Sequence, residues 1–226
     1  MVSQPTAASD RTSRARLLAA AAVEFAARGF DGAKVDRIAL RARVNKAMVY
    51  YHFKNKADLY REILHELFRS LADAVAAARA AGGPPVDQLR RYIEALAAES
   101  ARRPHFPSIW LREMAEGGRH LDTSVIKDLA SVLGVLAAIM RDGKGTGAFG
   151  DAHPFVVQMG IVAPLLLFAA SAPIRERFAH VFPPHMAAIR RDDVMAYVEA
   201  CALSALRSKP VRSPSARPAS RARSPV

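Results

Sequence analysis

Residues 44–60 read VNKAMVYYHFKNKADLY, and they set Lys46, Tyr50, Tyr51, His52, Lys54 and Lys56 around the apolar residues Val44, Val49, Phe53 and Leu59. Lysine supplies point charges for phosphate oxygens, while tyrosine and histidine add hydrogen bonds and flat faces that can meet a nucleic-acid groove. The chemistry on offer is recognition of a polyanion. A coherent nucleophile, base or metal cluster that would mark an enzyme is not visible in the sequence.

The charge distribution points the same way. The chain holds 33 Lys+Arg against 21 Asp+Glu. Residues 1–80 carry a formal +6, residues 81–207 only +1, and residues 208–226 +5. A basic end on a balanced body suits a phosphate-bearing partner, because neutralising phosphates releases their counterions. The single cysteine, Cys201, excludes an internal disulfide, and the opening MVSQPTAASDR lacks the charged start and apolar run of a secretory signal. A reducing cytoplasm is the expected location.

Positioning those groups falls to helices. Leu18, Ala21, Ala22 and Phe25 recur at i, i+3, i+4 and i+7, which predicts a helix over 13–28, capped by Asp10 or Thr12 and ended by Gly29. Short helices over 35–41 and 46–51 follow, the second capped by Asn45. Asn55 caps a long helix to about residue 80, with Leu59, Ile63, Leu67, Leu71, Ala74 and Val75 as its inner stripe, and Gly82-Gly83-Pro84-Pro85 stops it. Further helices are predicted over 86–100, 107–116, 121–140, 153–172 with a continuation after Pro173, and 192–208. No period-2 run of β-branched residues calls for a strand, so the expected fold class is all-α. From Ser208 the chain turns to Lys, Arg, Ser, Pro and Ala, too poor in apolar groups to offset its ordering entropy, and a disordered basic tail is expected there.

Two short helices joined by a tight turn and braced by longer ones form a helix-turn-helix. Helix 35–41 would brace, Ala42-Arg43-Val44 would turn, and residues 45–51 would lie in the major groove. Ile38, Ala39, Val44 and Val49 would fill the space against helix one. Lys46, Ala47, Met48, Tyr50, Tyr51 and His52 are then left facing the groove, and Lys56 stands at a helix N-terminus whose free amides favour phosphate.

The run AKVDRIALRARVNKAMVYYHFKNKADLYREIL, preceded by a helix ending FAARGFDG, resembles the tetracycline-repressor (TetR) family of bacterial transcriptional regulators over about residues 11–64. The resemblance implies phosphate contacts from Lys46, Tyr50, His52 and Lys56, and base or groove contacts from Asn45, Ala47, Met48 and Tyr51; with Lys34 these make up the expected DNA-binding set. Two positions depart from the family pattern: Arg43 stands where glycine is usual, and Asn45 where serine or threonine is common. The resemblance further implies an N-terminal three-helix DNA-binding domain followed by a helical ligand-binding and dimerisation domain. The expected division is a flexible N-terminus (1–10), the helix-turn-helix domain (11–56), a connecting helix (57–82), an effector-binding and dimerisation domain (83–207) and the basic tail (208–226). Its partners would be a palindromic double-stranded operator, a second copy of the chain, and a small effector that releases a repressor from DNA. An architectural DNA-binding protein without an effector is the alternative.

The effector contacts expected are His105, Phe106, Trp110, Met114, Met140, Phe155, Gln158, Met159 and Val162, whose apolar or amphipathic character favours an apolar or aromatic ligand. Other motifs lack their context. Residues 145–150 spell G-x-G-x-x-G but follow a helical run instead of a strand, so a loop is expected and no nucleotide cofactor. His65-Glu66 opens like a zinc-protease motif, but Arg69 replaces the second histidine, and no metal is expected. Residues 155–172 approach the roughly 18 apolar residues of a membrane span. Pro164 interrupts them and arginines flank only one end, so a helix at the core or at an oligomer interface is expected and no membrane partner.

Overall fold

A computed structural model describes residues 7–184 and 188–207, and among these every regular element is a helix. The basic tail expected over 208–226 lies outside the described residues. Helix α1 spans Ala7–Gly32, but Gly29 (φ 68°, ψ −178°) breaks it one turn before its end, in a region that only glycine occupies without strain. Its start differs from the expected one. Asp10 and Thr12 lie inside the helix, where Asp10 in the first turn complements the helix dipole instead of capping.

Helices α2 (Val35–Ala42), α3 (Lys46–His52) and α4 (Lys56–Ala80) follow, close to the expected bounds. Gly82 and Gly83 take positive φ, and Pro85 opens α5 (Pro85–Arg102). Then come α6 (Phe106–Ala115), α7 (Thr123–Gly145), α8 (Pro154–Ala170), α9 (Ala172–Arg177) and α10 (Arg191–Arg207). Asp122 starts α7 by accepting from the N–H groups of Ser124 and Val125, a cap that satisfies two otherwise orphaned donors.

The buried side chains fall into two clusters. One joins α1–α4 with Phe106, Ile109, Val125 and Leu166; the other joins Val75 and Leu89 to the inner faces of α7, α8 and α10. Helix α4 runs through both and packs against α1, α5 and α7. Leu59, Leu67 and Val75 are buried as the sequence stripe predicts, and so are Tyr60, Leu64 and Phe68, because α4 has neighbours on more than one side. Leu71 and Val162 pack against both clusters.

By length and composition α7 could cross a membrane, whereas the apolar α8 has only 17 residues. In the bundle α7 lies along α4, α5 and α8. The glycine-rich motif after it is a helix ending, as expected of a loop. Phe149 N–H donates to the Gly143 carbonyl, Gly147 takes φ 75°, and Gly150 N–H donates to the Leu206 carbonyl of α10.

The Phe149 ring lies directly on Gly143, so that a Cβ there would come within 2.0 Å of it. Gly143→Ala should therefore lower the unfolding free energy by about 1–3 kcal/mol through overpacking. Gly145→Ala, two residues on with nothing within 4 Å, should be neutral or stabilising by up to ~1 kcal/mol. Urea denaturation of the two variants side by side checks the contrast.

Candidate nucleic-acid interface

The turn between α2 and α3 is closed by the backbone alone. Arg43 N–H donates to the Leu40 carbonyl and Val44 N–H to that of Ala39, the paired bonds of a Schellman ending. This places Arg43 at φ 55°, ψ 46°, the one non-glycine residue with positive φ among those described. The arginine found where glycine is usual thus keeps the turn geometry, at a local strain of about 1–2 kcal/mol for an L-residue in the left-handed region.

Asn45 then starts α3, its side-chain oxygen accepting from Ala47 N–H at 3.0 Å. Asn55 does the same for α4 by accepting from Asp58 N–H at 2.9 Å, and the Asp58 carboxylate accepts in return from Lys54 N–H at 3.2 Å. Between these caps Val49 and Phe53 are buried against α1, which turns the opposite face of α3 outward. Tyr50 and Tyr51 are 51% and 65% exposed, and Lys34, Asn45, Lys46 and Ala47 are exposed as well, with Met48 half-buried. Lys46 reaches back to Asp36 of α2 at 2.7 Å, an exposed pair that a phosphate can replace at little loss. Arg41 and Arg43 are exposed, with no partner among the described residues.

Two expected phosphate contacts are placed elsewhere. The His52 ring is only 5% exposed and lies against the start of α1, its Nε2 at 2.9 Å from Ser13 Oγ and 3.6 Å from the Asp10 carboxylate. Ser13 already donates its own proton to the Asp10 carbonyl, so Nε2 carries the hydrogen and donates to the serine. Lys56 extends its ammonium to the carbonyls of Phe30 at 2.9 Å and Ala33 at 3.2 Å, and over the Phe30 ring at 4.5 Å. Both side chains hold α3 and α4 against α1 instead of facing outward. Their hydrogen-bond partners lie 23 to 39 residues away in sequence, and Asp10 lies farther still, so no local pattern signals them.

Sequence reading also missed Glu24, a buried carboxylate that ties α1 to α2. Arg37 Nε donates to it at 2.5 Å and Lys34 N–H at 3.3 Å, with Arg28 at 3.5 Å. Burial works to raise this carboxyl, and the Arg37 and Lys34 hydrogen bonds together with the arginine charges outweigh it, leaving the group below the usual carboxylate range. At the other end of α1, Arg14 donates to Glu62 at 2.6 Å and Glu66 at 3.0 Å of α4.

The nine expected effector residues do not converge. Phe106 and Trp110 stack with rings 6.3 Å apart and pack on Phe68 in the first cluster. Met140 and Gln158 are buried in or beside the second, where Gln158 accepts from Tyr92 OH at 2.7 Å. Met114, Phe155 and Met159 are exposed, and Val162 bridges the clusters. His105 and Phe106 both line a cleft of about 530 Å3 between α1, α4 and the α5–α6 turn.

Among the described residues one group has metal-ligand proximity, Glu113, Glu116 and His120. The buried Glu113 carboxylate is already occupied by Tyr60 OH at 3.0 Å, His120 N–H at 2.8 Å and His120 Nδ1 at 2.9 Å. Burial and the neighbouring Glu113 charge push the Tyr60 hydroxyl upward, so it stays a donor. These bonds make the group a joint between α4 and the α6–α7 loop.

A left-handed turn, a capped short helix with an outward polar face and a bundle behind it define a helix-turn-helix DNA-binding protein. Residues 17–63 match the family model described as bacterial regulatory proteins, tetR family. The repressor SCO4008 of Streptomyces coelicolor is 32% identical over 160 residues, covering 69% of this chain and 72% of its own. The repressor NicS of Pseudomonas putida is 31% identical over 144 residues, covering 63% and 68%. A tetR-family protein from Rhodococcus RHA1 shares the fold with a TM-score of 0.66 at 23% identity, over 86% of this chain and 97% of that one. The chain belongs to the TetR family and is a helix-turn-helix transcriptional regulator.

Two outcomes follow from this geometry. Arg43→Gly should raise stability by about 0.5–1 kcal/mol, the relieved strain less the added freedom of the unfolded chain, and thermal unfolding reads it. The second concerns acid. The Glu24 carboxyl is depressed in the folded protein, so its contribution is present above the unfolded value of about 4.3 and is lost as pH falls through the lower folded value. Stability should fall on acidification below about pH 4.5, and Glu24→Gln should flatten that fall in urea melts run across pH.

Proposed function

We propose that the protein is a homodimeric repressor that binds a palindromic operator through α3 and leaves it when a small effector binds the helices behind. The observation that carries the reading is the α3 surface, where an Asn45-capped helix presents Tyr50, Tyr51 and Lys46 outward from a buried Val49–Phe53 base. In this reading Tyr50 and Lys46 hold phosphates, Asn45, Ala47, Met48 and Tyr51 meet the groove, and Lys34 adds a flanking charge. His52 and Lys56 act by positioning α3 and α4. Residues 11–56 form the DNA-binding unit, 57–82 the connection and 83–207 the effector and dimer unit.

Repression is supported by the two relatives, which are named as transcriptional repressors. Dimerisation is supported by a continuous apolar exposure on α8, with Phe155 52%, Val156 66% and Leu167 58% exposed, and by Tyr197 at 64% on the adjoining α10. Exposed apolar patches of this kind mark interfaces, and twofold symmetry suits half-sites about 34–36 Å apart. The route from effector to DNA is supported by the α6–α7 loop. Arg119 pairs with Asp31 at 2.7 Å and the His120 ring lies 3.9 Å from that of Phe30, so movement of the loop carries the end of α1 with it.

The test is a titration of DNA from upstream of the protein's own coding region against random competitor, across a salt series. The wild type should bind the upstream DNA in preference. The double variant Lys46→Ala, Tyr50→Ala should lose roughly 10- to 100-fold in affinity, with a salt slope shallower by about one from the lost lysine contact, while its thermal unfolding stays within a few degrees. Equal binding to both DNAs would overturn sequence-specific repression.

A further inference from the structure

The cleft between α1, α4 and the α5–α6 turn lies outside the α7–α8–α10 bundle, and its chemistry differs from that of a plain core gap. Its floor is aliphatic: Leu18, Leu67 and Ile109 are buried there, and Ala22 and Ile63 complete it. Its rim is basic, with Arg11 and Arg14 from α1 on one side and Arg102, Arg103 and His105 on the other. One carboxylate, Glu66, also lines it and is held by Arg14.

The donors on this rim exceed the acceptors. Arg102 and Arg103 both turn one Nη1 to the same buried carboxylate, Glu99, which also accepts from Ser70. Glu62 and Glu66 share Arg14. Four guanidiniums thus face three carboxylates, and Arg11 is left exposed without a partner among the described residues. Each arginine has five N–H donors in a planar fork suited to a carboxylate or phosphate. At about 530 Å3 the cleft lies within the ~300–1,000 Å3 of small-molecule sites, which pair an apolar lining with a few placed polar groups.

We infer that this cleft binds an amphiphile with an anionic head: an aliphatic chain on the Leu18–Leu67–Ile109 floor and a carboxylate or phosphate at Arg11 and Arg103. The inference deepens the effector-controlled reading and rests on it for its consequence, since a ligand here would sit between α1 of the DNA-binding unit and the α5–α6 turn of the unit behind. It would change the spacing of the two. The binding itself stands apart from that reading and can be tested alone.

The sole tryptophan, Trp110, supplies the readout. It stacks with Phe106, which lines the cleft, so an occupant changes its emission. The full-length protein is titrated with dodecanoate, with dodecyl phosphate to compare heads, and with dodecanol and dodecylammonium as neutral and cationic controls. The anions should saturate at one per chain, and the controls should bind at least about tenfold more weakly, the scale of a charge-assisted hydrogen bond. Arg11→Glu, at an exposed residue whose loss leaves the fold intact, should weaken the anions by a similar factor. Ala19→Phe, which fills the cleft from the α1 side, should abolish binding.

Saturation by dodecanoate that is unchanged in both variants would place the ligand elsewhere and overturn the site. No saturation by either anion would overturn the ligand class. Neither result touches operator binding, which is measured separately. If dodecanoate binds in the cleft and upstream DNA is retained at saturation, the site stands and the effector-controlled reading loses it as a trigger.

Discussion

The placement of the recognition helix depends on one knot of contacts at the end of α1. Phe30 packs edge-on to Tyr60 of α4, lies under the ring of His120 from the α6–α7 loop and sits beneath the Lys56 ammonium. Glu113 ties the knot by accepting from both Tyr60 and His120. The kink at Gly29 is what brings Phe30 there, with Arg112 of α6 packed at 3.2 Å over the place a side chain would occupy. Helix α4 and the α6–α7 loop thus share one buried carboxylate, and the Phe30 ring of α1 packs on both of its partners. Removing one partner of such a group leaves the rest desolvated and unpaired, which is where single changes are most damaging.

A second set of polar contacts fixes the rest of the same unit. Arg14 bridges α1 to two glutamates of α4, Glu24 holds α1 to α2, and His52 holds α3 to Ser13 near the start of α1. These polar ties surround a core of Leu17, Phe25, Ile38, Val49 and Leu59, all nearly fully buried. The apolar residues supply most of the drive to collapse, and the directional polar bonds select the one arrangement in which Tyr50 and Tyr51 face outward. The residues that secure α3 and those that the proposed reading gives to DNA are therefore different residues of the same short helix.

What the sequence made legible follows from how far each determinant reaches. Asn45 and Asn55 act within three residues of themselves, so α3 and α4 could be bounded without a structure. Gly29, Gly82 and Gly83 marked their breaks for the same reason. The start of α1 was missed by several residues because good helix formers precede both candidate caps. The fates of His52 and Lys56 hinge on Ser13 and on the carbonyls of residues 30 and 33, which only the tertiary fold delivers. The effector set had no motif behind it, only residue type. Apolar character alone does not distinguish Met140 in a core from Phe155 on a surface.

Helix α4 is unbroken over 25 residues, from Lys56 beside α3 to Ala80 beside the glycine turn. At 1.5 Å per residue that is a rod of about 37 Å. A rigid rod converts angle into displacement: a tilt of about 5° about one end moves the other by ~3 Å, given that length. In the symmetric pair proposed above the two displacements add to about 6 Å, close to twice the ~3.4 Å rise of one base pair. In that proposed dimer, small repacking around Leu71 or Val75, where the rod passes from one core to the other, is the kind of change that such a lever magnifies into a shift of register on the duplex.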